Sequence, residues 1–365
     1  MLALTDIRYT NALVSAGDDT RLTAFLSRLT AGEKLVVGAI GGSITEGASA
    51  TKPENRYINR LTALLAAEYK TDIITVNAGI GASNSLFGAF RAGRDILSKK
   101  PDLIVVDYAV NDATNPETVL AYEGLIRQCL ASESSPAVIA VAMVNDQYAN
   151  CEDTHLPVLK HYGVPLLSVK KAFAQEFGST LSWKEYSPDT VHPNDDGHDF
   201  IARMVVRFIK EHAVKEQSIH VLPPRLHEDA AIYEHGHIID AGMMTVIDNH
   251  GWDTGPHKAG YTGFQSQTPG SRFSVKLSGS YIAVGYKEFR GDFGIAEVAV
   301  DGGVPVELNG HFRPARQTVW AGGHTVIHVL GRFPRGEHMV TVTLADRKHP
   351  ESTGHKFDVG YFLVS

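Results

Sequence analysis

The sequence predicts two domains, an α/β domain on a buried parallel sheet over residues 1–215 and an all-β sandwich over 225–365. Three observations carry that prediction. From Lys34 to His212 short apolar runs alternate with helix-like stretches, and the runs read as continuously buried rather than alternating, as a sheet covered on both faces requires. After 213–225, a stretch with Pro223 and Pro224 that reads as a linker, the texture changes to short alternating runs broken by Gly, Asn, Asp and Pro. Finally, 365 residues exceed what one hydrophobic core usually organises.

The strand-like runs of the first domain are 35–40, 72–76, 103–109, 137–143 and 165–169. Helices are expected between them at 59–70, 85–97, 119–133, 156–162 and 170–177. A last helix, 196–212, carries Phe200, Ile201, Met204, Val205, Phe208 and Ile209 at the three-to-four spacing of a buried stripe. In the second domain strands are expected at 272–277, 281–286, 295–300, 325–329 and 339–344. Asp301-Gly302-Gly303 and Pro334-Arg335-Gly336-Glu337 carry the residues that favour turns between them.

Composition narrows the function. With 43% hydrophobic and 21% charged residues the chain has the balance of an ordinary globular protein. A net charge of −7 argues against nucleic acid and an anionic membrane as partners, since both demand a basic face, and fits a neutral substrate better. The first twenty residues lack a basic segment followed by an apolar one, and no stretch has the length of a membrane span. Cys129 and Cys151 are the only cysteines, which suggests reduced thiols and a cytoplasmic protein. The sequence does not fix the oligomeric state, and a homo-oligomer stays open.

Four segments carry residues with chemistry. Gly41-Gly42-Ser43-Ile44-Thr45 follows the first apolar run, so Ser43 stands at a strand end, where open α/β sheets place ligand-handling groups. Ser43 or Thr45 could equally cap the next helix. The Gly-rich turn lacks the Gly-Lys-Ser/Thr of a phosphate loop. Asp189 and His192 are spaced so that the carboxylate can hold one imidazole nitrogen and aim the other at a nucleophile. The plainer reading makes Asp189 a turn residue and His192 a solvated side chain. Asn111 closes the third run and can donate its amide N–H to an oxyanion, although Asn111-Asp112 also reads as a capping pair. In Asn77-Ala78-Gly79-Ile80-Gly81-Ala82-Ser83 the backbone N–H of Gly81 or Ala82 would be a second donor, and that of Ser43 a third. Together the segments supply a hydroxyl, a base, a group to orient the base, and donors for a developing negative charge.

These segments resemble the sequence blocks of the SGNH hydrolases, a branch of the GDSL esterases, over roughly 34–212. The resemblance implies a three-layer flavodoxin-like α/β domain, with Ser43 as nucleophile, Asn111 as oxyanion donor, and Asp189 and His192 as the acid–base pair. Many members carry a glycine where this chain has Ala82, which leaves open whether Gly81 or Ala82 completes the oxyanion hole. More narrowly, Gly41–Gly47, Asn77–Ser83, the run ending at Asp112 and the run around His192, followed by a β module, are similar to the family 17 carbohydrate esterases. That similarity implies removal of 2-O-acetyl groups from mannosyl units of mannan, without a cofactor, and a carbohydrate-binding-like second domain.

Two other classes stay open: a lipase or thioesterase on the same catalytic domain, and a non-catalytic carbohydrate-binding protein. An α/β-hydrolase is disfavoured because no Gly-x-Ser-x-Gly elbow precedes the acid and base. In the β module Trp252, Trp320, Tyr261, Phe289 and Phe293 could stack on sugar faces or fill the core. The stretch His250-Gly251-Trp252-Asp253 is the preferred sugar contact. His235 and His237 alternate on one strand face but lack carboxylate or cysteine partners at metal-binding spacing, so no metal site is expected.

Overall fold

The computed structural model describes residues 2–212, 221–311 and 324–365. It divides into two compact units, Met1–His235 and Gly236–Ser365. The sequence places the junction earlier, at 213–225. Residues 225–227 instead bind the first unit: the Glu123 carboxylate accepts the Leu226 N–H at 2.7 Å and His227 Nδ1–H at 2.7 Å. The tail of the unit is drawn in the same way, with Glu234 paired to Arg127 and Arg225 at 2.9 and 2.8 Å.

In chain order the first unit consists of α1 (Asp6–Ala12), β1 (Leu13–Ser15), α2 (Thr20–Thr30), β2 (Leu35–Gly41), α3 (Ser43–Glu46), α4 (Tyr57–Tyr69), β3 (Ile73–Gly79), α5 (Ser85–Asp95), β4 (Leu103–Asp107), α6 (Pro116–Ala131), β5 (Ala137–Ala142), α7 (Glu152–His161), β6 (Leu166–Ser168), α8 (Val169–Ala172), α9 (Trp183–Tyr186), α10 (Asp195–His212) and α11 (Ala231–Glu234). Its sheet runs β1-β6-β5-β4-β2-β3. All neighbours are parallel except β1, an antiparallel edge. Successive strand residues point to opposite faces. Leu35, Val37, Ala39, Leu103, Val105 and Ile139 join one core with Phe25, Leu61, Leu65 and the α10 stripe from Phe200 to Ile209. Ile40, Ile104, Val106 and Val138 are buried on the opposite face, the side of α5 and α6. This is the three-layer, flavodoxin-like domain that the resemblance implies.

The sheet order also fixes where a site can form. β2 has β3 on one side and β4 on the other, so the chain changes direction across the sheet at β2. The loops leaving the carboxyl ends of β2 and β4 diverge to opposite faces and open a crevice there. Ser43 follows β2 and Asn111 follows β4.

The helix expected at 170–177 is shorter, since α8 ends at Ala172 and residues 173–176 are turns. There Phe177 is drawn into an aromatic cluster with Phe173, Tyr148, Trp183 and Tyr186. α1, β1 and α2 precede the first run that the sequence pattern resolves.

The strands of the second unit pair antiparallel: β7 (His237–Asp240), β8 (Thr245–His250), β9 (Asp253–Pro256), β10 (Thr262–Ser266), β11 (Arg272–Glu288), β12 (Ile295–Val300), β13 (Val306–Asn309), β14 (His324–Leu344) and β15 (Phe357–Val364). The expected strands 272–277 and 281–286 are one strand, β11, and 325–329 and 339–344 are one strand, β14. The expected turn at Pro334–Glu337 is therefore not a chain reversal. Gly279 pairs with Gly336 and Tyr281 with Arg332, so residues 333–335 face the single residue Ser280 as a bulge. Pro334, which has no N–H to give, sits in that unpaired stretch. β8 and β15 pair with successive parts of β11, and side chains from both parts, Val275 and Leu277 with Ile282 and Val284, share one core. At Asp301-Gly302-Gly303 the chain does turn, with Asp301 and Gly302 at φ 52° and 70° and Gly303 N–H on the Val300 carbonyl at 2.9 Å.

Candidate functional site

The β2 strand ends at Gly41, and Gly42 lets the chain bend at once into the one-turn helix α3, whose first residue is Ser43. Ser43 is 9% exposed and His192 3%. The Ser43 Oγ–H donates to His192 Nε2 at 2.8 Å, and His192 Nδ1–H donates to Asp189 Oδ2 at 2.8 Å. An ionised carboxylate only accepts, so Asp189 fixes the tautomer that leaves Nε2 free to take a proton. The other Asp189 oxygen, Oδ1, accepts the backbone N–H of Val191 at 2.8 Å and of His192 at 2.7 Å. Burial acts to raise the Asp189 pKa, but these N–H groups and the imidazole outweigh it and hold the carboxyl below its ordinary value. It is therefore ionised at neutral pH, ready to stabilise an imidazolium.

Local chemistry builds the His192 loop. Ser187 Oγ–H donates to the His192 carbonyl at 2.6 Å, and Trp183 Nε1–H donates to the Asp189 carbonyl at 2.5 Å. Asn194 Oδ1 accepts the Gly197 N–H at 2.9 Å and so caps the following helix.

Asn111 lies against the other side of the serine turn. A Cβ on Gly42 would stand 2.3 Å from Asn111 Oδ1 and 3.4 Å from Nδ2, a fit only glycine permits. The helix cap on this side belongs to Asn115, which accepts the Thr118 N–H at 2.9 Å, and no partner for the Asn111 amide occurs among the described residues. Asp112 holds the turn instead. It accepts the Ser85 N–H at 2.8 Å and pairs with buried His155 at 2.8 Å, whose ring stacks on Tyr122. We expect Gly42→Ala to displace the Asn111 amide and lower kcat about tenfold or more, since small misplacements of a positioned group cost that much. Unchanged kcat on an activated acetyl ester would show that this amide has no part in the reaction.

The 77–83 segment contributes more than loose N–H groups. Asn77 Nδ2–H donates to the Thr45 carbonyl at 2.8 Å, and Asn77 Oδ1 accepts the Gly79 N–H at 2.9 Å. At Gly79 a Cβ would lie 2.0 Å from the Glu46 nitrogen, so helix α3 rests directly on the strand. The two candidate donors then differ. Gly81 N–H donates to Glu46 Oε2 at 2.9 Å, while the Ala82 N–H has no partner among the described residues. Ala82 is left-handed, φ 55°, a conformation that glycine takes without cost.

Two buried groups beneath the site have no signature in the sequence. Arg91, fully buried on α5, donates to the carbonyls of Gly41 at 3.0 Å and Ala78 at 2.7 Å and to the Tyr108 hydroxyl at 2.9 Å. It ties together the strand ends that carry Ser43 and the 77–83 segment. A single arginine on an amphipathic helix reads as solvated, so only a break in the apolar face at 91 could have marked it. Asp107, at the end of β4, accepts from the Thr45 hydroxyl at 3.1 Å, and Tyr57 OH lies 2.9 Å from that hydroxyl. Burial pushes the Asp107 carboxyl up to about 7, with the Thr45 bond opposing and the Asp112 charge adding to the shift.

In the second unit Trp252 is 4% exposed, edge-on to Phe273, and part of the core. Its proposed sugar contact is thereby corrected: an aromatic side chain on the inner face of the sheet satisfies the hydrophobic core first. Tyr261 and Phe293 are buried as well, Phe289 is half-buried, and Trp320 lies outside the described residues. His250 is exposed and paired with Asp248 at 2.8 Å. Among the described residues the group with metal-ligand potential is not His235 and His237 but His311, His349 and Glu351, whose ligand atoms lie within 4.8 Å of one another. The two imidazoles are stacked at 12°, so their in-plane lone pairs do not converge and one ring would have to turn to share an ion.

Residues 39–200 match the model of the GDSL-like lipase/acylhydrolase family. A crystal structure of a two-domain esterase active on acetylated mannans superposes with a TM-score of 0.87 at 26% identity, covering 98% of each chain. The same esterase co-crystallised with mannopentaose gives 0.87 at 27% identity, over 98% of this chain and 97% of that one. No curated protein matches the chain. No described helix is long and apolar enough to cross a membrane. A serine, a histidine and an aspartate thus stand in hydrogen-bonded series at the switch point of the sheet, within the stretch, residues 39–200, that is similar to the GDSL-like lipase/acylhydrolase family.

Proposed function

We propose that this protein is a serine esterase that removes O-acetyl groups from oligosaccharides, with mannosyl units of mannan-type chains as substrate and the 2-O position as the one cleaved. The observation that carries the reading is the continuous series Ser43 Oγ–His192 Nε2 and His192 Nδ1–Asp189 Oδ2, each link 2.8 Å. The substrate class is supported by the likeness to the mannan-active esterase over both domains rather than over the catalytic one alone.

The reaction needs no group outside the chain. His192 Nε2 takes the Ser43 hydroxyl proton as Oγ attacks the acetyl carbonyl carbon, and the carbonyl π electrons move to oxygen. Asn111 Nδ2–H and the N–H groups of Ser43 and Ala82 receive that oxygen. Of the two candidate backbone donors in the 77–83 segment, Ala82 is favoured because Glu46 already occupies Gly81. The tetrahedral species collapses as His192 returns the proton to the sugar oxygen, leaving acetyl-Ser43. Water, deprotonated by His192, then attacks the acetyl carbon, and acetate leaves as Ser43 recovers its proton.

We place the protein in the cytoplasm, acting on short imported oligosaccharides, on the strength of two free buried thiols, Cys129 and Cys151. Finding the native protein outside the cell overturns that placement. Acetate release from acetylated mannan, xylan and pectin fragments tests the substrate. Mannan fragments are expected to respond best. Equal rates on all three remove the mannan assignment, rates rising with acyl length favour a lipase or thioesterase, and no release from any activated acetyl ester leaves only a carbohydrate-binding protein.

A further inference from the structure

Glu46 is the last residue of helix α3, three positions after Ser43, and its side chain is exposed. No ion pair to it occurs among the described residues. Its Oε2 accepts the Gly81 N–H at 2.9 Å, and a Cβ on Gly81 would lie 2.7 Å from that oxygen and 3.6 Å from Ser43 Cβ. The carboxylate is therefore placed at the rim of the catalytic crevice, on the peptide next to the one that bears the Ala82 N–H.

That neighbouring peptide needs holding. Ala82 sits at φ 55°, which costs an L-residue about 1–2 kcal/mol relative to ordinary backbone. Around it, Ile80 N–H donates to the Gly41 carbonyl at 3.1 Å, and Ser83 Oγ–H donates to the Ile80 carbonyl at 2.6 Å. The Ile80 carbonyl and the Gly81 N–H belong to one peptide, so Ser83 holds one edge of it and Glu46 the other. Without the Glu46 contact, the Gly81–Ala82 peptide could rotate toward relaxed backbone and re-aim the Ala82 N–H.

We propose that Glu46 is the positioning residue of the oxyanion hole: by accepting the Gly81 N–H it holds left-handed Ala82 with its own N–H turned toward the carbonyl oxygen that becomes negative. The inference rests on Ser43 as nucleophile. What Glu46 must supply is an acceptor, not a charge, because a carboxylate near a developing oxyanion opposes it electrostatically. Glutamine keeps the acceptor and drops the charge. Alanine drops both.

The test is steady-state kinetics of Glu46→Ala and Glu46→Gln on an activated acetyl ester, together with inhibition by a small alkyl boronic acid, which adds to the serine as a tetrahedral anion. Loss of a whole oxyanion donor costs about 10²–10³-fold, so a donor left unaligned is expected to cost roughly 10- to 100-fold. For Glu46→Ala we expect that loss in kcat, KM within about threefold, and boronate affinity weakened by a factor similar to the kcat loss, as for any group acting only in the transition state. Glu46→Gln is expected to keep kcat at or above that of the parent. The proposal is overturned if Glu46→Ala keeps kcat within twofold, if the loss is confined to KM, if boronate affinity does not follow kcat, or if Glu46→Gln falls as far as Glu46→Ala. Failure of the esterase reading itself shows separately, as turnover that persists in Ser43→Ala.

Discussion

Ser43→Ala is expected to lose acetate release by on the order of 10⁴-fold or more, roughly 5 kcal/mol of transition-state stabilisation, while circular dichroism and melting temperature stay those of the parent. The size of the effect follows from the loss of the covalent route: with no Oγ there is no acetyl-enzyme, and His192 has nothing to deprotonate except water. The intact fold follows from the environment. The Ser43 hydroxyl makes its bond to His192, and the turn that carries it is held by other groups, Asn77 on the Thr45 carbonyl and Arg91 on the Gly41 carbonyl. Turnover within tenfold of the parent on any acetyl ester would remove the serine mechanism entirely.

The second large effect is expected at Asn111. Asn111→Ala should lower kcat by about 10²–10³-fold, roughly 3–4 kcal/mol, with little change in KM, the mark of a donor used only when the oxygen carries charge. Stability should change by less than about 1 kcal/mol, as for a side chain outside the core and outside a capping bond. The turn does not depend on this amide, since Asp112 makes the bonds to Ser85 and His155 and Asn115 caps α6. A variant that unfolds with only a small kinetic loss in its folded fraction would return Asn111 to a structural role. Comparing Asn111→Ala with Glu46→Ala then separates the side-chain donor from the backbone one.

Much of the first domain is legible because its strands are buried on both faces. The apolar runs at 35–40 and 137–143 are short and bounded, as buried strands are, and β2 and β5 occupy nearly those limits. Where the pattern fails, a local signal was overruled by packing. Pro334 and Gly336 look like a turn, yet the cross-strand partners of β14 continue past them and the extra residues are taken up as a bulge. Trp252 looks like a surface aromatic beside His250, yet the sheet turns it inward against Phe273. The first strand and its flanking helices escape notice because a three-residue edge strand, half-buried throughout, has too few positions to show a period.

The sequence by itself determined the kinds of groups available to the proposed reaction and the strand ends that would bear them, since a serine after a strand, a histidine three residues from an aspartate, and an asparagine at a β–α junction are properties of residue type and spacing. Only the tertiary structure decided that Glu46 engages the Gly81 N–H while the Ala82 N–H has no partner among the described residues, and that Arg91 and Asp107 lie beneath them. The physical reason is that residue type sets what a group can donate or accept, whereas its partner depends on which distant strands the sheet order makes neighbours. Glu46 meets Gly81, and Arg91 meets Gly41, only because β2 and β3 pair side by side.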